Sequence, residues 1–439
     1  MPLSVEQHAR DVARTLVARP FTAPAIEAVL VVECGRPDPR LARLAKALAL
    51  RFGGLRRPRA REVADYLVRR RRYAETAAAC EMQLQDLPRR SMLPLPGAPA
   101  TWKVPAIVTT TELAAFLRVG AEELAAWCRR WRRSPGRPDP RHEHYHCRWL
   151  PRHGAPPRLL EVPKTALKRV QRRILTGILQ AIPPHPVAHG FVRGRGVATF
   201  TAQHTDRDCV LQLDIEDFFG SIQERRVRAV FVAAGYPVDV AAALARLCTT
   251  HTPPRVLAEL VSNDRARRLA TRLAMTHLPQ GAPTSPALAN LIAFRCDLRL
   301  AGLARRFGGG YTRYADDLLF SGGPEFAADA RRCATHAAAI LETEGFAVAH
   351  RKTRVMRRGV AQRAGGLVLN RHGAVPRASR ERLEAILTNC VRHGPASQNR
   401  AGVVDFAAHL QGRVAHVAHH HPPHGVRLLR LLAQIDWCR

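Results

Sequence analysis

The chain has ten cysteines among its 439 residues, but none forms a C-x-x-C pair and their spacing is irregular. This argues against both a zinc ribbon and a disulfide framework. No run of about 18 apolar residues occurs, which predicts that there is no membrane span. The N-terminus carries His8, Arg10 and Asp11 where a signal peptide would need an apolar core. We therefore expect a reduced, cytoplasmic protein.

Acidic residues are scarce relative to basic ones. Against 36 Asp and Glu there are 69 Lys and Arg, which gives a formal charge of +33 spread over the whole chain. An Arg-rich, GC-biased genome accounts for part of this excess, and the remainder predicts a polyanionic partner, nucleic acid before membrane. With 46% hydrophobic residues, the chain is long enough for two or three lobes, each with its own core.

Two adjacent carboxylates, Asp316 and Asp317, interrupt the apolar and aromatic stretch YTRYADDLLFSG at 311–322. The pattern predicts a strand, a tight turn and a second strand, because Asp is favoured at turns. Two acids held side by side repel each other unless a cation lies between them, and the hard ion Mg²⁺ is the natural candidate. A third acid, Asp214, ends the apolar segment VLQLD 102 residues before Asp316. We expect the two segments to meet as neighbouring strands of one sheet.

Between these segments, residues 278–291 (LPQGAPTSPALANL) form a Gly/Pro-rich loop that continues into a helix. The three segments resemble the A, B and C motifs of a reverse transcriptase palm, and the tetrad YADD at 314–317 matches that of the family. A motif D segment containing Gly345 and Lys352 and a primer-grip segment at 366–370 follow in the same order. In motif D, His350 stands where the family commonly has Asn.

The resemblance covers about residues 108–439 and implies an α+β fold of the right-hand polymerase type, with fingers, a palm containing an antiparallel sheet, and a helical thumb. Thr109 and Glu112 predict a capped helix where this part of the chain begins. The implied regions are a mainly helical N-terminal extension of unknown role at 1–105, N-terminal helices and fingers at 106–205, a palm with helical insertions at 206–375, and a thumb at 376–439.

The resemblance implies a catalytic site that holds two Mg²⁺ ions, which Mn²⁺ is able to replace. In such a site Asp214 bridges both ions, the backbone carbonyl of Ile215 adds one ligand, Asp316 completes the pair, and Asp317 is a further or supporting acid. One ion lowers the pKa of the primer hydroxyl, and the other neutralises charge on the triphosphate. Phe219 corresponds to the aromatic steric gate that excludes a 2′-OH and so favours dNTPs over rNTPs.

The resemblance also implies contacts with nucleotide and nucleic acid. Arg158 follows the turn in a predicted strand, turn, strand and helix at 149–175, and its planar guanidinium suits a triphosphate clamp. The other implied nucleotide-binding residues are Lys164, Gln280, Gly281 and Lys352, the last as a proton donor to the leaving pyrophosphate. The implied nucleic-acid-binding residues are Lys168, Arg172, Arg195, His204, Gly366, Leu367 and Asn370.

Within the family the chain resembles bacterial retron-type enzymes. The segment GFVRGR at 190–195 and the residues Ala202 and His204 match the retron pattern, whereas Thr201 replaces the usual Asn, and Arg363–Gly365 stand where retrons have Val-Thr-Gly. The resemblance implies a structured noncoding RNA as template and primer, a short cDNA, an effector protein encoded nearby, and a role in anti-phage defence. Two alternatives remain: another defence-associated or group II-intron-like bacterial reverse transcriptase, and a catalytically silent RNA-binding scaffold.

Two histidine-rich segments are alternative metal sites. Residues 141–147 read RHEHYHC, and three consecutive histidines occupy 419–421. Alternate residues of a strand share one face, so the first segment could bind zinc, but no second Cys/His pair follows at finger-like spacing. A basic strand in the first case and a Pro-flanked turn in the second are favoured.

Overall fold

The computed structural model describes residues 20–34, 38–53, 58–70, 102–128, 143–152, 156–260 and 264–437, with single positions between 9 and 17 and at 73. Contacts divide the chain into two compact units. The first comprises residues 1–183 and 222–288, and the second comprises residues 184–221 and 289–439. The Pro-rich stretch at 93–99, the turn at Gly154, and His142 lie outside the described residues.

The described residues form α-helices and antiparallel strands. The α-helices are α1 (Ala23–Cys34), α2 (Pro39–Phe52), α3 (Ala60–Val68), α4 (Thr110–Leu117), α5 (Ala121–Cys128), α6 (Thr165–Gly177), α7 (Val197–Ala202), α8 (Glu224–Ala233), α9 (Val238–Cys248), α10 (Pro254–Leu257), α11 (Asp264–Ala274), α12 (Ser285–Arg306), α13 (Pro324–Thr343), α14 (Arg377–His393), α15 (Phe406–His420) and α16 (Pro422–Ala433). The strands are β1 (Tyr145–Leu150), β2 (Arg158–Pro163), β3 (Cys209–Asp214), β4 (Gly309–Tyr314), β5 (Asp317–Gly322), β6 (Arg354–Arg357), β7 (Arg363–Ala364) and β8 (Leu367–Val368).

The N-terminal helices of the first unit have a small core of their own, drawn from residues 9–73. Helix α2 begins where the Asp38 carboxylate accepts a hydrogen bond from the backbone N–H of Arg40, 2.6 Å away, with Pro39 in the first turn. Its buried residues Leu41 and Leu48 lie seven positions apart, which is two helical turns and places both on one face.

The remainder of the first unit contains a helix pair and a hairpin. The Thr109 hydroxyl accepts a hydrogen bond from the N–H of Glu112 (3.1 Å), which confirms the predicted cap of α4. Strands β1 and β2 pair antiparallel, from Tyr145 opposite Pro163 to Leu150 opposite Arg158, and α6 follows. The predicted order of strand, strand and helix is confirmed.

The second unit is built on a four-stranded sheet in the order β4-β5-β3-β6, in which every neighbouring pair is antiparallel. Strand β3 lies inside the sheet, and Val210, Leu211 and Leu213 are buried. This accounts for its nearly continuous apolar sequence, since a strand covered on both faces has no solvent side. Helix α13 packs against β3 and β5.

The C-terminal part of the second unit packs α14, α15 and α16 around a core that includes Leu387, Val414 and Leu428. Helices combined with antiparallel sheets agree with the predicted α+β class. The limits of the predicted extension, fingers, palm and thumb stay predictions, since compactness alone does not identify these regions. Within the described ranges, no helix has both the length and the apolar character needed to cross a membrane.

Candidate active site

The three predicted acids meet at one end of the central sheet. Asp214, the last residue of β3, lies directly opposite Asp317, the first residue of β5. The backbone N–H of Ile215 donates to the carbonyl of Asp316 over 2.9 Å, which ties the end of β3 to the turn. The prediction that segments 102 residues apart are neighbouring strands is confirmed.

Asp316 occupies a two-residue turn between β4 and β5. Tyr314 pairs with Asp317, so Ala315 and Asp316 form the loop of a tight hairpin. Ala315 has a φ of 54°, whereas Asp316 does not have a positive φ. A positive φ at only the first loop residue is typical of a type II′ turn, which favours Gly at that position. Ala315 is therefore held in a strained conformation next to the acids.

Burial and neighbouring negative charges both act on Asp317. Burial, followed by the charges of Asp316 and Asp214, raises the pKa of Asp317 to about 6, against an ordinary value of 3.8. A hydrogen bond from the side-chain amide of Gln212 (3.2 Å) opposes the shift. The three carboxylates thus repel one another, and a bound cation would relieve this repulsion.

Lys352 provides a cation beside Asp214. Its ammonium lies 2.7 Å from Oδ2 of Asp214, whose side chain is 8% exposed, while the lysine side chain is 44% exposed. The backbone N–H of Ala349 donates to the carbonyl of Asp214 (2.8 Å), so the motif D segment runs alongside the end of β3. A metal ion bound at Asp214 would therefore compete with Lys352 for the same carboxylate.

The chemistry of these residues fits a divalent ion that is bound jointly with a substrate. Carboxylate and carbonyl oxygens are the ligands that Mg²⁺ prefers, and Mg²⁺ sites commonly use one or two carboxylates plus substrate phosphates. In the part of the chain that the structure describes, no three His, Cys, Asp or Glu side chains converge as ligands of one ion. The acids therefore do not form a closed metal cage by themselves. The same finding applies to His144, His146 and Cys147.

Replacing Asp317 by Asn tests the repulsion among the acids. Because its folded pKa lies above its unfolded value, Asp317 reduces the free energy of unfolding above about pH 6, and this penalty disappears as the pH falls towards about 4. We expect Asp317→Asn to raise the melting temperature of the metal-free protein at about pH 8 but not at about pH 4. Mg²⁺ should stabilise the wild type more than the variant. An identical melting temperature at the higher pH would contradict the repulsion.

The two phenylalanines after Asp214 have different environments. Phe218 is buried and packs on Phe346 with a ring-centroid distance of 5.6 Å. Phe219 is only half-buried and lies 6.1 Å from the ring of Phe191, which is 51% exposed. Phe219, five residues after Asp214 in the sequence, is therefore less enclosed than Phe218. The contact of Phe191 with Phe219 was not predicted from the sequence. The one available signal was the position of Phe191 in the retron-like segment GFVRGR.

The predicted fingers residues and the loop before α12 belong to the first unit. Arg158 and Arg172 are exposed, and Lys164 and Lys168 are half-buried. The carbonyl of Gln280 accepts a hydrogen bond from the N–H of Glu161 on β2 over 2.8 Å. Gly281 has a φ of 130°, and a Cβ there would lie 2.9 Å from the carbonyl oxygen of Glu161. Glycine is needed at this position for its backbone conformation and for the close approach.

The predicted nucleic-acid-binding residues of the second unit fall into two groups. Gly366 is exposed, and Asn370 is half-buried with its side-chain amide bonded to the carbonyls of Arg358 and Val360. Arg195 donates to the carbonyl of Ala188 over 2.7 Å. The two remaining residues, Leu367 and His204, have no exposed surface.

His204 is a structural residue in the described unit, so its predicted contact with nucleic acid is corrected. Its ring lies 2.7 Å from the hydroxyls of both Ser321 and Thr312, on neighbouring strands. Burial, with smaller effects of Arg207 and His189, lowers its pKa to about 3. A neutral, fully buried imidazole offers nothing to a phosphate. Leu367 likewise belongs to the core around α14 to α16 and offers no side-chain surface to a primer.

Comparison with known proteins agrees with this geometry. Residues 150–364 match the family model described as reverse transcriptase (RNA-dependent DNA polymerase). The chain is 38% identical over 380 residues to the Retron Mx65 reverse transcriptase of Myxococcus xanthus, covering 84% of this chain and 82% of that protein. It is 34% identical to the Retron Mx162 reverse transcriptase of the same organism, over 67% of this chain and 61% of that protein.

A more distant relative is the Retron Ec86 reverse transcriptase of Escherichia coli, 29% identical over 48% of this chain and 58% of that protein. The matched family region contains Asp214, Asp316, Asp317 and Lys352, the residues that the structure brings together. The chain belongs to the retron reverse transcriptases and is an RNA-directed DNA polymerase.

Proposed function

We propose that this enzyme copies a structured noncoding RNA into a short single-stranded cDNA by two-metal nucleotidyl transfer. The observation that carries the proposal is the cross-strand pair of Asp214 and Asp317, with Asp316 at the adjoining turn, in a chain of the retron family. This arrangement presents three carboxylates at one sheet end. A silent scaffold would have no need to retain this repulsion.

Reverse transcriptases use divalent metal ions, and we assign Mg²⁺, with Mn²⁺ as a substitute, to this site. When bound, the ions lower the pKa of the primer hydroxyl and neutralise charge on the triphosphate. Asp214 and Asp316 would hold them, with the carbonyl of Ile215 as a further ligand and Asp317 as a supporting acid. Lys352, whose ammonium lies 2.7 Å from the Asp214 carboxylate, would donate a proton to the leaving pyrophosphate.

The basic residues of the first unit bind the substrates. Arg158 is exposed at the start of β2, where its guanidinium can bind two phosphate oxygens at once. Lys164 supports it, and Gln280 and Gly281 contact the nucleotide or its template base. Lys168 and Arg172 on α6 and, in the second unit, Arg195, Gly366 and Asn370 bind nucleic acid, while the helices from α14 onward follow the duplex by its backbone.

The half-buried ring of Phe219 acts as the steric gate under the nucleotide sugar. Phe219→Val should lower the preference for dNTPs over rNTPs by about 10- to 100-fold, because a smaller side chain leaves room for a 2′-OH. The measurement is kcat/KM for dGTP and rGTP on one primed template. Phe307→Val, at another half-buried phenylalanine of the second unit, is the matched control. Unchanged discrimination in Phe219→Val would remove the gate role.

The noncoding RNA is tested by expressing the gene with its flanking DNA and sequencing the nucleic acid that copurifies after RNase and debranching treatment. A short DNA joined by a 2′,5′ branch to an RNA encoded next door supports the proposal, and its loss in Asp316→Ala ties it to this site. Heterogeneous or protein-linked DNA would instead favour another defence-associated reverse transcriptase. We also propose that the enzyme acts with an effector encoded nearby in anti-phage defence, which phage plating of the wild type against Asp316→Ala tests.

A further inference from the structure

Arg313 is a fully buried cation three residues before Asp316. Its side chain is 1% exposed, so it makes no contact with solvent, substrate or nucleic acid. Burying a charge costs several kcal/mol, and the cost is recovered only through close pairing. A buried arginine next to a catalytic turn therefore calls for an explanation beyond fold stability.

The guanidinium of Arg313 connects the turn to helix α12. Nε and Nη2 donate to the two carboxylate oxygens of Asp297, at 2.8 and 2.7 Å, in a bidentate pair. Nη1 donates both to the side-chain oxygen of Asn290 (3.0 Å) and to the carbonyl oxygen of Ala315 (3.1 Å). The Tyr311 hydroxyl donates to Asp297 as well, over 3.0 Å. The planar fork thus bonds α12 and the turn at the same time.

Ala315, whose carbonyl accepts the hydrogen bond from Arg313, is also the residue with a strained backbone. Ala315 has a φ of 54°, a left-handed conformation that is unfavourable for an L-residue with a Cβ. Asn290 donates in turn to the carbonyl of Gly190 (2.9 Å), and a Cβ at Gly190 would lie 2.6 Å from the backbone nitrogen of Ala315. Two segments anchored by the same polar network therefore hold the turn in place.

We propose that the Arg313–Asp297 ion pair is a positioning device, which fixes the Ala315 carbonyl and thereby the direction in which the Asp316 carboxylate points. The proposal rests on the role of Asp316 given under the proposed function. Arg313 is a positioning residue because it touches neither substrate nor metal. Asp297, Asn290 and Tyr311 orient its guanidinium.

A merely structural role and a positioning role predict different results for an apolar replacement of the whole pair. Replacing a buried ion pair by apolar residues of similar size is often neutral or stabilising. The double variant Arg313→Met/Asp297→Leu leaves no unpaired charge, but it removes the hydrogen bond to the Ala315 carbonyl. If the pair only supports the fold, this variant polymerises like the wild type.

The experiment measures melting temperature, single-turnover dNTP incorporation and its dependence on Mg²⁺ concentration. We expect the double variant to fold, to lose about 10²-fold in rate with little change in the apparent KM for dNTP, and to need more Mg²⁺, because small displacements of catalytic groups have effects of this size. Arg299→Met, which removes an exposed arginine of the same helix that pairs with Glu344, should leave the rate unchanged.

A folded double variant with the wild-type rate and Mg²⁺ dependence would overturn the proposal. If the double variant does not fold, Arg313→Lys decides, because an ammonium can pair with Asp297 but cannot reproduce the fork. A folded Arg313→Lys with full activity overturns the proposal, and a reduced rate with a raised Mg²⁺ requirement supports it. Synthesis by Asp316→Ala would instead refute the role of Asp316 itself, whatever the Arg313 variants do.

Discussion

Replacing Asp316 by alanine is expected to abolish dNTP incorporation on a primed RNA template. Asp316 lies at the turn between β4 and β5, next to the Asp214–Asp317 pair, and its carboxylate is one of the few oxygen ligands that the chain offers there. Under the proposed two-metal mechanism, its loss would leave the charge that develops on the transferring phosphoryl group without neutralisation. We expect the rate to fall by about 10³-fold or more, equivalent to about 4 kcal/mol of transition-state stabilisation.

Binding of RNA should survive this substitution, because it depends on basic residues and the variant removes a negative charge. The measurement therefore pairs single-turnover incorporation with a filter-binding titration at fixed salt. Asp329→Ala is the matched control, since Asp329 is a 39% exposed acid of α13 paired with Arg332. Synthesis at the wild-type rate by Asp316→Ala would contradict the metal assignment. If Asp316→Ala loses both RNA binding and synthesis, the variant is misfolded.

The catalytic hairpin was predictable because its information is local. Apolar and aromatic residues flank two acids in 311–322, which predicted two strands joined by a tight turn, and the structure places Asp316 in that turn and Asp317 at the start of β5. The pairing of β3 with β5 was predictable for another reason. Asp214 ends an apolar segment typical of a strand, and the need for a third acid beside Asp316 and Asp317 placed this segment next to theirs.

Buried polar partners far apart in the sequence were not predictable. Arg313 precedes the acids in the sequence, but no local pattern shows that it pairs with Asp297 on α12. His204 was predicted to bind nucleic acid, but its ring instead pairs with the hydroxyls of Thr312 and Ser321. These partners lie 108 and 117 residues away in the sequence, so no local pattern shows them. A basic or titratable side chain looks the same in a sequence whether it is solvated or satisfied in a core, and only tertiary packing distinguishes the two.

The buried pair of Glu161 and His277 in the first unit was not predictable from the sequence either. Glu161 on β2, 2% exposed at its side chain, lies 2.8 Å from Nε2 of His277, and the Thr252 hydroxyl donates to its other oxygen over 2.9 Å. Nδ1 of His277 lies 2.8 Å from the carbonyl of Met275. Both ring nitrogens therefore face acceptors, and both hydrogen bonds form only when the ring is an imidazolium. The pair thus helps to fix β2, where the backbone N–H of Glu161 donates to the carbonyl of Gln280.

Replacing His277 by leucine is expected to lower the free energy of unfolding at about pH 6 by about 3–5 kcal/mol, because the Glu161 carboxylate then remains buried without its cation. Although burial lowers the pKa of His277, the hydrogen bond and charge of Glu161 and the Met275 carbonyl raise it above its ordinary 6.5. The stabilisation is therefore complete below about pH 6.5 and is lost as the pH rises through the raised pKa. Urea unfolding across this range measures both effects.

Two further variants separate the ion pair from the shape of the site. Glu161→Gln keeps an acceptor for Nε2 but removes the charge, so it should destabilise less than His277→Leu and abolish the titration above about pH 6.5. His393→Leu, at an exposed histidine of α14, should change stability by less than about 0.5 kcal/mol. If His277→Leu has the same pH dependence as the wild type, the ring is neutral in the native protein. The close approach of His277 to Glu161 would then be an ordinary hydrogen bond and not an ion pair.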